Sequence, residues 1–140
     1  MDRFLFIAPS FTKVIILLLV VGVLPSCSFR KSGVYEKVAP VEYASMIRER
    51  DSVQIIDVRT PPEYRKDHIK GAVNINFLGG DFKRGARELD TSKPVYIYCQ
   101  TAHRSPLAAR KLRRVGFKKV YDLEGGFKNW GQAGLPGVEE

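Results

Sequence analysis

Short apolar runs alternate with longer amphipathic stretches along most of this chain. Val53-Gln-Ile-Ile-Asp-Val58 is mostly apolar and is closed by Pro61-Pro62, which predicts a strand followed by a turn. Gly71-Ala-Val-Asn-Ile-Asn76 predicts a second, brief strand. Pro94 to Tyr98 predicts a buried strand, because Val95 to Tyr98 are all β-branched or aromatic. Lys119-Val-Tyr-Asp-Leu123 predicts another short strand. Between these runs the spacing changes. Val41, Ala44 and Met46 or Ile47 recur at helical intervals behind Pro40, which predicts a helix over 40–50. Residues 61–67 predict one or two helical turns, and residues 81–89 a weak helix after Gly79-Gly80. Ser105 to Val115 predicts a firmer one, opened by Pro106 and stopped by Gly116. Phe127 to Gln132 predicts a last turn or two after Gly125-Gly126. Strands alternating with helices predict an α/β domain with a mainly parallel sheet covered on both faces. Sites in such sheets form beyond the carboxyl ends of the strands, here at Asp57 to Arg59 and at Cys99.

The first part of the chain follows a different pattern. Val14 to Leu24 is an uncharged apolar run, preceded by Arg3 and Lys13 and followed by Pro25-Ser-Cys27. A membrane-spanning helix needs about 20 apolar residues, so the run is short for a span and matches a secretory signal. Leu24-Pro-Ser-Cys27 resembles the lipobox of bacterial lipoproteins, in which the Cys becomes the lipid-modified first residue. Two other readings stay open. One is an ordinary signal peptide with an incidental Cys; the other is an uncleaved anchor extended by Phe4 to Ile7. The expected organisation is therefore a signal peptide over 1–26, a lipidated N-terminus and tether over 27–33, and one domain over 34–140. The expected location is the cell envelope, on the exported side, with the membrane as a partner through the lipid on Cys27. The formal net charge is +8. A nucleic-acid partner is not expected for an exported chain with no aromatic-interleaved basic stripe, so the charge points to small anions or an anionic surface.

Cysteine usage narrows the chemistry. The chain has two, and if Cys27 carries lipid then Cys99 has no partner for a disulfide. Cys99 closes an apolar strand and opens the polar loop Gln100-Thr-Ala-His-Arg104, which leads into the Ser105 helix. Backbone N–H groups converge at such a strand-to-helix turn, and the helix dipole is positive there. Both favour a thiolate, the nucleophilic form of cysteine. The competing reading is an inert, buried strand-end cysteine.

The motifs then point to a family. Ile55-Ile-Asp-Val-Arg-Thr-Pro-Pro-Glu-Tyr64 and His68-Ile-Lys-Gly-Ala-Val-Asn-Ile75 resemble the front half of a rhodanese domain. Tyr98-Cys-Gln-Thr-Ala-His-Arg-Ser105, Gly116-Phe, Leu123-Glu-Gly-Gly-Phe-Lys-Asn-Trp130 and Gly134-Leu-Pro136 resemble its back half, in the same order. The resemblance implies a three-layer fold with a five-stranded parallel sheet. It implies a single-domain sulfurtransferase that carries a persulfide on Cys99. Gln100, Thr101, Ala102, His103, Arg104 and Ser105 would then cradle the sulfur donor. A small anionic donor such as thiosulfate and a thiol or cyanide acceptor are the implied partners. No cofactor and no metal are implied, and a monomer is expected. Four residues separate Cys99 from Arg104. The related phosphatases and arsenate reductases have one more, so this loop suits one added sulfur atom better than a tetrahedral oxyanion. Many single-domain relatives have Gly where this chain has Ala102.

The other candidates divide by role. A cation at a helix N-terminus opposes the dipole, so Arg104 is expected to face an anionic partner. His103 is expected to be an exposed loop residue and not a general base. Asp57 and Arg59 are expected to tie loops together as structural support, with Glu63 in the same network. Gly125 and Gly126 are expected to permit a tight turn, and Trp130 to pack in the core. Arg110, Lys111, Arg113 and Arg114 are expected to form a solvated face. The remaining class is a non-catalytic rhodanese-like binding or sulfur-carrier module.

Overall fold

A computed structural model describes residues 33–49 and 53–139. Strands and helices alternate in it: β1 (Val34–Val38), α1 (Pro40–Arg48), β2 (Gln54–Asp57), α2 (Pro61–Lys66), β3 (Ala72–Asn74), α3 (Phe82–Gly85), β4 (Val95–Tyr98), α4 (Ser105–Val115), β5 (Lys119–Leu123) and α5 (Gly126–Gln132). The strands form one five-stranded sheet in the order β1-β5-β4-β2-β3. Every pairing is parallel. Parallel neighbours need crossover connections, and the helices supply them.

Side-chain alternation along the strands makes the two helical layers. Val95, Ile97 and Cys99 pack on one side with Ile56, Val58, Val120 and the α4 residues Ala108, Ala109 and Leu112. Tyr96 and Tyr98 point the other way, toward Ile55, Leu123, Tyr43 of α1 and Trp130 of α5. The Tyr43 ring meets Tyr96 edge-on at 5.6 Å and Trp130 at 6.3 Å. All four β4 residues are buried because this strand lies mid-sheet. That explains why its sequence is continuously apolar instead of alternating.

The fold departs from the sequence reading at one strand. β1 was not legible as a strand, and the structure places it at the sheet edge beside β5. Only Val38 of its five residues is buried, and Glu36 and Lys37 are exposed. An edge strand with charged residues pairs through its backbone while hiding the apolar pattern that marks a strand. α3 is a single turn, and β3 is shorter than 71–76. Cys27 and the apolar run Val14–Leu24 lie outside the described residues. No helix among the described residues is long and apolar enough to cross a membrane.

Candidate active site

The ends of β2, β4 and β5 carry Asp57, Cys99 and the Gly125-Gly126 turn to the same end of the sheet. Cys99 is the first residue after β4, and the loop from Gln100 to Arg104 delivers the chain into α4 at Ser105. Cys99 is 1% exposed and belongs to the apolar cluster under α4. It therefore lies deeper than its place beside a polar loop suggests. Its Sγ lies 3.6 Å from Ser105 Oγ, and Ser105 is itself buried. Among the described residues, the backbone N–H groups of Gln100 to Arg104 donate to no other backbone oxygen. Such groups must be met by solvent or by a ligand. Together with the first turn of α4 they form an N-terminal environment that favours an anion.

The loop is pinned from the β5 side. Phe127 N–H donates to Cys99 O at 2.7 Å, and Lys128 N–H to Gln100 O at 3.0 Å. Gly126 makes this approach possible. Its φ is +69°, and a Cβ there would fall 2.4 Å from Cys99 O. No other residue type fits that space without moving the loop.

Asp57 and Arg59 pin it from the β2 side. Asp57 is fully buried and Arg59 is 2% exposed. Arg59 Nε donates to Asp57 Oδ1 at 3.0 Å, and Arg59 Nη2 to Asp57 Oδ2 at 2.6 Å. The same guanidinium donates to Gln100 Oε1 at 3.0 Å and to Asp67 O at 2.6 Å. It also lies over the Phe127 ring at 4.2 Å. One buried cation thus joins β2, the Cys99 loop, the end of α2 and the start of α5.

The structure pairs Arg104 with Glu63. The sequence predicts an anionic partner for Arg104, and both terminal nitrogens of its guanidinium donate to Glu63, at 2.8 and 2.7 Å. The anion that Arg104 faces is therefore internal to the protein. Glu63 is tied to Arg104 and not to the Asp57–Arg59 pair. It also accepts from Thr60 N–H at 2.9 Å, which caps the first turn of α2. The Arg104 hydrogen bond, against the cost of burial, and then Thr60, hold the Glu63 pKa down at about 2. The same ion pair raises the pKa of Arg104. His103 is exposed, and its Nδ1 lies 3.0 Å from Thr101 Oγ1, which is also exposed.

One polar cluster behind the thiol went unread in the sequence. Asp122 of β5 is fully buried, and Tyr35 of β1 donates its hydroxyl to Asp122 Oδ2 at 2.6 Å. Burial pushes the Asp122 carboxyl up, opposed by Tyr35 and by the Ser105 hydroxyl. Burial also raises Tyr35, and its hydrogen bond to Asp122 adds to the rise. A polar contact thus continues behind Cys99 through Ser105 to the sheet edge. The readable signal was the period of β5. Asp122 shares a face with buried Val120, so it had to be an inward carboxylate.

Ala102 is the one non-glycine residue with positive φ among the described residues, at +57°. An L side chain is strained there. Ala102→Gly is expected to raise stability by about 1 kcal/mol, because it removes this strain at some cost in chain entropy. Chemical denaturation of the two proteins checks this. A lower midpoint for the glycine variant would show that the Ala102 methyl contributes packing that outweighs the strain.

Comparison with known proteins adds a family. The model described as Rhodanese-like domain matches residues 39–133. YqhL of Bacillus subtilis, itself uncharacterized, is 49% identical over 78 residues. That alignment covers 56% of this chain and 60% of YqhL, so the chain spans less than two thirds of that relative. The thiosulfate sulfurtransferase GlpE of Coxiella burnetii is 33% identical over 96 residues, covering 69% of this chain and 87% of GlpE. The crystal structure of a rhodanese-related protein from Thermoplasma volcanium superposes with a TM-score of 0.67 at 25% identity. It covers 76% of this chain and all of that one.

Proposed function

Since the chain belongs to the rhodanese-like domain family, we propose that it is a sulfurtransferase that moves a sulfane sulfur through a persulfide on Cys99. The observation that carries this reading is the loop from Cys99 to Arg104. In it a buried thiol is followed by a run of backbone N–H groups without backbone partners, which leads into the first turn of α4. The relative GlpE, named a thiosulfate sulfurtransferase, supports thiosulfate as the donor.

The chemistry balances with a thiosulfate donor. The Cys99 thiolate attacks the outer sulfur, the S–S bond of thiosulfate breaks, and sulfite leaves with the electron pair. Cys99 then holds Cys–S–S⁻. Cyanide attacks the terminal sulfur and leaves as thiocyanate, or a thiolate attacks and leaves as a persulfide. Either way Cys99 returns as thiolate. Every state in the loop is anionic, so fixed N–H dipoles favour both attack and departure without reorganising. At 1% exposure, Cys99 favours a small donor over a bulky one. The apolar run Val14–Leu24 and Cys27 extend the proposal to a domain exported and held at the membrane by a lipid on Cys27.

The burial of Cys99 also favours a second reading, a domain that binds or carries sulfur without turning over. Intact-mass spectrometry after exposure to thiosulfate separates the two. Turnover requires a Cys99 adduct about 32 Da heavier, the mass of one sulfur, which cyanide then removes. A protein that takes up no mass, or holds its adduct against excess cyanide, is not a rhodanese enzyme.

A further inference from the structure

An all-parallel sheet has two unlike ends. The Cys99 loop occupies one. At the other, β1 begins at Val34, whose N–H donates to Lys118 O at 2.7 Å. Gly33 sits so close that an added Cβ would fall 2.4 Å from Phe117 O. α4 runs back from the Cys99 loop and finishes at Val115, just before these residues. The chain that leads from residues 1–32 therefore enters the domain beside the end of α4, far from Cys99.

Cations gather on this side of the domain. Lys83 and Arg87 face Lys111 and Arg114 across a cleft of about 580 Å³ floored by Phe82, Ala86 and Val115. The Lys111 ammonium lies over the Phe77 ring at 4.4 Å and the Phe82 ring at 5.6 Å. Among the described residues, the acids of this region pair elsewhere: Asp81 with Arg84, and Asp90 with Lys93. Glu88 is exposed on the same segment, and no ion pair among the described residues includes it or any of the four cleft cations. Lys118 and Lys119, both exposed, add charge where β1 enters. Lys111 and Arg114, two of the four cations on the α4 face expected to be merely solvated, thus line one side of a cationic cleft with an apolar floor. A surface of that kind is complementary to phosphate headgroups above acyl chains.

The chain length selects the partner. The apolar run ends at Leu24 and β1 begins at Val34. The residues between them, which include Arg30 and Lys31, reach at most about 30 Å when fully extended. We propose that the cleft between α3 and α4, with Lys118 and Lys119, is a docking face for an anionic bilayer that leaves Cys99 pointing away from the membrane. The inference rests on the apolar run being held at a membrane. It does not depend on lipidation of Cys27 or on sulfur transfer.

Lysine footprinting of the full chain tests it. The protein is reconstituted into vesicles of phosphatidylcholine alone and of phosphatidylcholine with phosphatidylglycerol, then treated with a water-soluble acylating reagent. Acylation of Lys83, Lys111, Lys118 and Lys119 is expected to fall about threefold or more in the anionic vesicles, and to recover in high salt. Lys128, whose N–H meets Gln100 O beside the Cys99 loop, is expected to be labelled equally in both. The combined variant Lys83→Glu, Arg87→Glu and Lys111→Glu is expected to lose the difference while staying folded by circular dichroism. Equal labelling in the two vesicle types overturns the proposal, as does protection of Lys128 in place of the four. Protection by soluble polyglutamate that matches the anionic vesicles also overturns it, because the face would then suit an acidic protein. A chain that pellets only with the anionic vesicles also overturns it, because the apolar run would then not hold the domain at a membrane.

Discussion

Cys99→Ser is expected to abolish thiocyanate formation from thiosulfate and cyanide, lowering kcat by about three orders of magnitude or more. The reason is the nucleophile. A serine hydroxyl at neutral pH neither attacks sulfane sulfur nor holds a terminal S⁻. Nothing else in the loop substitutes for it: Ser105 presents a hydroxyl, and Cys99 is the only free thiol among the described residues. The change removes little structure, because Ser is nearly isosteric and a polar side-chain atom, Ser105 Oγ, lies 3.6 Å from Sγ. Burial of that hydroxyl in an apolar cluster is expected to cost about 1 kcal/mol, too little to unfold the domain. Paired assays check both halves. The variant should keep its thermal transition within a few degrees, and its mass should stay unchanged after thiosulfate. Residual turnover above about a tenth of the parent would place the sulfur-carrying atom elsewhere.

The parts of this fold that were legible in the sequence are those where local chemistry and tertiary role coincide. The Ser105 helix was readable to its last residue, because Pro106 opens it and Gly116, at φ +129°, ends it. β4 was readable because a strand buried on both faces must be apolar throughout. β1 was not, since an edge strand gets its register from β5 and not from its own side chains. The loop around Cys99 could be placed from its neighbours in the chain, but its depth could not. Burial of the thiol depends on α4 folding over it, a contact between residues that no local pattern joins. The partners of Arg104 and Asp122 were hidden for the same reason. Glu63 is 41 positions from Arg104, and Tyr35 is 87 from Asp122. The sequence argument for Arg104 rests on sound electrostatics but does not name the anion. A cation at a helix N-terminus does need compensation, and the Glu63 carboxylate at the start of α2 provides it.

Removing the buried carboxylate of Asp57 is expected to have the largest effect on stability. Asp57→Ala leaves the Arg59 guanidinium at 2% exposure without its counter-ion. Breaking one side of such a pair costs about 3–5 kcal/mol, much more than the intact pair contributes over an apolar equivalent. For a domain of this size that lowers Tm by more than about 10 °C. The site should suffer with the fold. Arg59 also holds Gln100 Oε1 and Asp67 O, so a guanidinium that swings toward water releases the Cys99 loop on its β2 side. Two further variants separate charge from shape. Asp57→Asn retains an acceptor for Arg59 Nε but not the negative charge, and is expected to fall between the parent and the alanine variant. Asp57→Ala combined with Arg59→Met removes both charges and leaves an apolar chain over Phe127, and is expected to recover part of the lost stability. Recovery of the thermal transition without recovery of sulfur transfer would assign Arg59 to positioning the loop, through Gln100. If Asp57→Ala costs no more than an exposed substitution, water reaches Arg59, and the link it makes between the strand end and the thiol loop is not rigid.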